Sequence, residues 1–222
     1  LIIIAVAGVQ WMLSTPVERI RVQGGPRHLR LGELRRVVTP LLDDYWLLDL
    51  AVVAAAVRRL PWVDQVRVER IWPDVVELDI REQRPLLRWG KHAFLNERGE
   101  RFTPDEVAAH AHLPLLTGPE GYEMRLFRAY RKMSAALRPL GWRIRHLEVD
   151  ERRSWRLHLD DGVRIVLGRN EPEKTFARIV AALRRLGRER RSEIEYLDAR
   201  YEHGFAIRWR TGKETIRKQS HG

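Results

Sequence analysis

The sequence predicts an α+β protein organised as two domains. Three observations predict it. Residues 19–82 read in the order strand, helix, helix, strand, strand. Beyond Arg84-Pro85 strands multiply, with two amphipathic helices among them. A last alternating strand, residues 205–209, follows a long strand-forming stretch and has little chain after it to cover it.

In the first part, Ile20 and Val22 alternate with Arg19 and Arg21, the period of a strand, and Gly24-Gly25-Pro26 ends it. Leu34, Val37, Val38, Leu41 and Leu42 fall at helical spacing. Pro40 lacks an N–H and its ring crowds the preceding turn, which predicts that this helix stops near Val38. Asp49 is suited to cap a second helix over residues 50–59, with Leu50, Val53, Ala54 and Val57 on one face and Pro61 as its stop. Two strands follow, residues 63–72 and 75–82. In the second, Val76, Leu78 and Ile80 alternate with Glu77, Asp79 and Arg81, and Pro73-Asp74 supplies the turn between the two.

In the second part, residues 86–89 and 92–95 read as a hairpin around Gly90, and residues 113–121 as a proline- and glycine-rich connection. Leu126, Tyr130, Met133 and Leu137 share a helical face. Trp155, Leu157 and Leu159 alternate with Arg156 and His158, Asp160-Asp161-Gly162 turns the chain, and Val163, Ile165 and Leu167 alternate again. An Asp-Gly pair flanked by such alternation is the strongest short-range hairpin signal. Phe176, Ile179, Val180, Leu183 and Leu186 mark a second amphipathic helix that Gly187 stops. Strands over residues 194–201 and 205–209 close the pattern, and the tail from Thr211 is polar.

Composition narrows the chemistry. The chain has no cysteine, which excludes disulfides, thiolate metal sites and a thiol nucleophile. Its net charge of +11 is carried almost entirely by arginine and is spread along the sequence, as on a solvated surface. The cluster Arg184, Arg185, Arg188, Arg190 and Arg191 stands at a helix end, where cations suit the dipole, and lacks the interleaved aromatics of a single-strand binder. Residues 1–13 are apolar apart from Gln10. At about 1.5 Å per residue they cover about 20 Å as a helix, against about 30 Å for a bilayer core. The apolar run passes through a small-x-small motif at Ala5-Val6-Ala7 to Trp11, an interfacial type of residue. The expectation is the outer half of a transmembrane helix that begins upstream.

No Gly-x-Ser-x-Gly elbow, His-Glu-x-x-His pair or phosphate-binding glycine loop is present. His110 and His112 read as a polar loop, and Asp160-Asp161 as turn chemistry. The remaining candidate is the last strand, with Phe205, Ile207 and Trp209 on one face and Ala206, Arg208 and Arg210 on the other. At a sheet edge it would offer unpaired backbone groups to a partner strand. Spacing alone leaves equally open that it is internal, with Phe205 and Trp209 in the core.

Ordered runs along the chain resemble one family. Leu60-Pro61-Trp62-Val63, Arg70-Ile71-Trp72-Pro73-Asp74 and Glu82-Gln83-Arg84-Pro85 with Trp89-Gly90 resemble the POTRA domain of the FtsQ/DivIB cell-division proteins and its junction with a β domain. Leu113-Pro114-Leu115-Leu116-Thr117-Gly118-Pro119, Ser154-Trp155-Arg156-Leu157-His158-Leu159 with Leu167-Gly168-Arg169, and Leu197-Asp198-Ala199-Arg200-Tyr201 with Gly204 and Trp209 resemble the β domain. Each run is weak alone; the ordered set from Pro16 to Trp209 is specific.

The resemblance implies a truncated transmembrane helix at residues 1–13, a POTRA domain at 14–84, a β domain at 85–212 and a flexible tail at 213–222. It implies a single-pass inner-membrane protein with periplasmic domains at the division septum and without catalytic activity, cofactor, metal or nucleic-acid partner. It would act as a scaffold that binds FtsB and FtsL, through them the FtsW/FtsI synthase, and other divisome proteins through the POTRA domain. In the family FtsB adds a strand to the last strand of the β domain. Carried over, that edge is Phe205, Ile207 and Trp209, with Tyr201 and Gly204 in the preceding turn. Arg152 and Arg200 resemble arginines that receive acidic partner residues. His203 stands where a small polar residue is expected and would reshape the contact. Other POTRA-bearing assembly proteins carry repeated units or a large barrel, for which this length has no room. An envelope hydrolase would need a convergent polar site, which sequence alone neither supplies nor excludes.

Overall fold

The computed structural model describes residues 19–42, 49–72, 74–105, 110–201 and 204–210. The apolar residues 1–13, Pro73, His203 and the tail from Thr211 lie outside them. Among the described residues no helix is long and apolar enough to cross a membrane. The chain divides into two compact units, one ending at Arg84 and joined by Phe102–Pro104, the other holding the remainder.

The first unit has the order expected of a POTRA domain. It comprises β1 (Arg19–Gln23), α1 (Leu31–Leu42), α2 (Leu50–Arg58), β2 (Val63–Ile71) and β3 (Val75–Glu82). The sheet order is β1-β3-β2, with β1 parallel to β3 and β2 antiparallel to it. The alternation of β3 buries Val76, Leu78 and Ile80, against which α1 and α2 contribute Leu34, Val38, Val53 and Val57. Asp49 caps α2 by accepting from the Ala51 N–H at 2.8 Å. α1 departs from expectation by running through Pro40 to Leu42. Proline within the last turn forfeits one backbone bond and leaves only two residues beyond it, so the penalty falls where the helix is ending. Gly24 has φ +90°, and a Cβ there would stand 2.1 Å from the Ile80 carbonyl oxygen, so only glycine lets the chain leave β1 past β3.

The segment between β1 and α1 is tied down by Glu82, at the end of β3. Its carboxylate accepts from the backbone N–H groups of Leu29 at 2.7 Å and His28 at 2.8 Å, and meets the His28 ring at 3.1 Å. That ring stacks on Trp62 at 4.3 Å.

The second unit carries a nine-stranded mixed sheet. Its strands are β4 (Pro85–Trp89), β5 (Ala93–Asn96), β6 (Arg101–Phe102), β7 (Leu115–Thr117), β8 (Ile144–Val149), β9 (Trp155–Leu159), β10 (Arg164–Gly168), β11 (Ile194–Asp198) and β12 (Ala206–Trp209). The order is β12-β11-β10-β9-β8-β7-β4-β5-β6. Helices α3 (Glu123–Leu137) and α4 (Pro172–Arg185) pack on each other and on β8 and β10 respectively. Leu126, Phe127, Met133 and Leu137 of α3 and Phe176, Ile179, Val180 and Leu183 of α4 share one core with Leu147, Trp155, Leu157, Ile165 and Leu197 of the sheet. Strand alternation sends the intervening side chains, among them His146, Glu148, Arg156 and His158, to the other face.

The β9–β10 hairpin turns as its sequence predicts: Asp161 accepts from the Val163 N–H at 3.1 Å and Gly162 has φ +88°. Three features depart from expectation. The connection at 113–121 contains β7, which lies between β4 and β8 and is parallel to both. β8 carries no alternation that announces it, because a register shift between Ile144 and His146 breaks the period. The arginine cluster does not end one helix: Arg184 and Arg185 close α4, the chain becomes extended at Leu186, and Arg188, Arg190 and Arg191 belong to a separate turn, α5 (Arg188–Ser192).

The latch at Glu82 makes a testable statement about acid stability. Burial raises this carboxyl's pKa, but the bonds from Leu29, Arg27 and His28 outweigh burial and hold it below the usual carboxylate value. A depressed folded-state value stabilises fully above the unfolded value of about 4.3 and stops doing so as pH falls through the folded value. Glu82→Gln should therefore lower the stability of the first unit at pH 7 by about 1.5–3 kcal/mol. Urea denaturation should show that deficit shrinking as the pH falls below the unfolded value of about 4.3 and gone once it is below the folded value.

Candidate functional site

The two ends of the site are built by different means. One end is the sheet edge. β12 pairs antiparallel with β11 alone, with Asp198 opposite Ala206, Leu197 opposite Ile207 and Tyr196 opposite Arg208. Among the described residues, nothing pairs with its other side. Phe205 and Ile207 pack against the core of the second unit. Trp209, on the same face, is 37% exposed, with the Arg190 guanidinium 5.9 Å from its ring centroid. On the opposite face Arg208 lies over the Tyr196 ring at 5.4 Å. The strand is thus an edge; of the alternative reading only the packing of Phe205 against the core holds, joined by Ile207, while Trp209 stays exposed.

The other end is a basic cleft of about 1020 Å³ lined by Arg152, Ser154, Gly168, Arg169, Lys174, Arg178, Arg200 and Tyr201, among others. Its position follows from β10 and β11 running parallel, which delivers Arg169 and Arg200 to the same end of the sheet. α4 starts there, so Lys174 and Arg178, one turn apart, join them. β9 runs antiparallel to β10, which brings the β8–β9 turn and Arg152 to that end as well. This turn is held by Asp150, which accepts from the Ser154 N–H at 2.8 Å and from Arg156 at 2.7 Å.

Electrostatically the cleft favours anions. Among the described lining residues, five cationic side chains face the single carboxylate of Glu171, which is itself paired with Lys174. Arg200 donates through Nε and Nη2 to the buried Asp198, at 2.9 and 2.6 Å. That fork is the first cause holding the Asp198 carboxyl below the usual carboxylate value, ahead of the opposing effect of burial. The guanidinium has five donors, so the fork orients it without using it up.

Of the residues singled out from sequence, Arg152, Arg200 and Tyr201 share the cleft, with Tyr201 59% exposed. Ile207 and Trp209 lie on the edge strand, and Gly204 and Phe205 lead into it. His203 lies outside the described residues. The sequence reading missed Arg169, Lys174 and Arg178. The spacing of Lys174 and Arg178 on a helix was visible, but the parallel pairing that carries them to Arg200 was not. His110 and His112 stand 6.1 Å apart by ring centroids, and the His110 ring meets Phe94 edge-on at 5.3 Å.

Arg200 packs over Gly168, whose φ is +78°; a Cβ there would stand 3.3 Å from Arg200 Cγ. Gly168→Ala should therefore cost about 1–2 kcal/mol for the left-handed backbone, plus the displacement of Arg200. Gly162→Ala carries only the backbone part, since nothing lies within 4 Å of its added Cβ. Urea denaturation should rank Gly168→Ala as the more damaging of the two.

Comparison with known proteins agrees with both units. The family model for the cell division protein FtsQ/DivIB C-terminal region matches residues 87–200, and that for the FtsQ-type POTRA domain matches residues 15–83. The cell division protein FtsQ of Methylomonas methanica is 32% identical over 199 residues, covering 89% of this chain and 80% of that protein. Its namesake in Xanthomonas campestris is 34% identical over 193 residues, 86% of this chain and 69% of the relative. The one in Burkholderia pseudomallei is 31% identical over 216 residues, 94% and 86% respectively. A domain order, two matching family models and relatives of this similarity along most of the chain place it in the FtsQ/DivIB family of cell-division proteins.

Proposed function

We propose that this chain is a non-catalytic scaffold of the divisome that receives a strand from FtsB along β12. Residues 1–13 belong to a single transmembrane helix in the inner membrane. The POTRA domain (14–84) and the β domain (85–212) work in the periplasm at the septum. FtsL joins the same complex, and through FtsB and FtsL the chain influences the FtsW/FtsI synthase. The POTRA domain meets other divisome proteins. Membership of the family supports the divisome role; the partner contacts are this reading's own.

The observation that carries the reading is the continuity of the edge with the cleft. Ala206, at the start of β12, lies opposite Asp198, and Asp198 holds Arg200 at the cleft wall. A strand laid along β12 gains backbone hydrogen bonds and, on leaving at that end, can carry acidic side chains toward Arg152 and Arg200. The partial burial of Phe205 and Ile207 against the core also sets the choice of probe. A charge at Phe205 would unsettle the core, whereas the exposed Trp209 tests the edge with less collateral damage.

Binding of the full chain, held in detergent, to the periplasmic C-terminal segment of the same organism's FtsB tests this directly. Trp209→Glu should weaken binding by at least about thirtyfold, as for an aromatic anchor. Arg152→Glu should weaken it about tenfold at low salt, and less as salt is raised. Undiminished affinity in Trp209→Glu would refute the edge-strand mechanism and leave the scaffold role to another surface.

A further inference from the structure

The sheet face turned away from α3 and α4 carries a cluster that the partner surface does not use. β8 and β9 pair with His146 directly opposite His158. Their imidazoles stack with centroids 5.4 Å apart and planes 22° apart. Glu148 follows His146 by two residues and so shares its face, diagonal to His158. One ligand atom from each of the three side chains lies within 4.8 Å of the others. All three residues are half-buried, so the group is neither sealed from solvent nor fully open to it.

A second observation concerns the orientation of the His146 ring. Its Nε2 lies 2.7 Å from the Thr117 hydroxyl on β7. With Nε2–H donating to that oxygen, Nδ1 keeps its lone pair. Metal-binding imidazoles are commonly fixed in this way, by a hydrogen bond from the ring nitrogen that does not hold the metal.

Three arginines bear on the cluster: Arg88 near His146, Arg164 near His158, and Arg156, which meets Glu148 at 3.4 Å. Arg156 has a shorter bond to Asp150, at 2.7 Å, so Glu148 can turn away without leaving it unpaired.

We propose that His146, His158 and Glu148 form a binding site for a transition-metal dication of the zinc class. Two imidazole nitrogens and a carboxylate oxygen suit such an ion better than calcium or magnesium, which favour all-oxygen shells. Bonds of about 2.0–2.1 Å in tetrahedral geometry need donors about 3.3 Å apart. Side-chain rotation from the present spacing closes that distance and leaves the fourth position to water. The bound ion would clasp β8 to β9 and, through Thr117, brace β7.

The test uses the full chain in detergent, without a histidine tag, stripped by chelator and titrated with zinc chloride against a chromophoric competitor. The expected result is one saturable zinc ion per chain, accompanied by a rise in Tm of the second unit. His158→Asn should weaken binding at least about tenfold and abolish the Tm shift, whereas His112→Asn should leave both unchanged. Should His158→Asn fail to fold, Glu148→Gln carries the same test, with the same direction of effect expected. The proposal is overturned if the stripped protein takes up no zinc at stoichiometric concentration, or if binding survives undiminished in the variants.

Discussion

The parallel pairing of β10 with β11 is the constraint on which the site depends. Ile165 opposes Leu197, and the Ala199 N–H donates to the Val166 carbonyl at 2.8 Å. Strands that run parallel need a crossover, here supplied by α4 and the short α5, and they end at the same edge of the sheet. That geometry sets Gly168 beneath Arg200 and starts α4 at the cleft wall. It also leaves β11 with a free flank that the antiparallel β12 takes up, so that β12 becomes the margin of the sheet. A different order of these strands would separate the cations from the edge.

The energetics of the two halves are complementary. Cations gathered around one cleft repel one another, and the Asp198 fork with Arg200 and the Glu171 pair with Lys174 offset part of this. Under the proposed function an acidic partner would relieve the rest, which would favour encounter rate and selectivity more than raw affinity. The edge supplies what the cleft lacks: backbone bonding that fixes register, and an exposed indole at Trp209 for an apolar anchor. A strand added there would ask little rearrangement of the fold, because Phe205 and Ile207 already hold β12 against the core.

Much of this was legible in the sequence, for local reasons. Asp160-Asp161-Gly162 announced its hairpin because the turn and the alternation lie within one short window. Helices α1 to α4 are visible from their apolar faces, although Pro40 suggests a stop that a last turn in fact tolerates. β7 escaped notice because it is a three-residue strand between Pro114 and Gly118. β8 escaped because its bulge breaks the period of two. With β8 unread, His146 had no visible partner in His158, although both residues stood in plain view. The cleft was half legible: Arg152 and Arg200 came from family resemblance, while Arg169, Lys174 and Arg178 required a long-range parallel pairing that no local pattern encodes. The edge position of β12 was likewise undecidable from spacing, since an alternating strand looks the same at the margin of a sheet as inside it.

The central claim is that the open backbone of β12 is where a partner strand is added. Hydrogen–deuterium exchange over residues 205–210, with and without the FtsB segment, tests it most directly. The account predicts new protection of alternate β12 amides, those turned away from β11, with little change in β1 at the margin of the other sheet. Protection gained elsewhere while residues 205–210 exchange as before would contradict it.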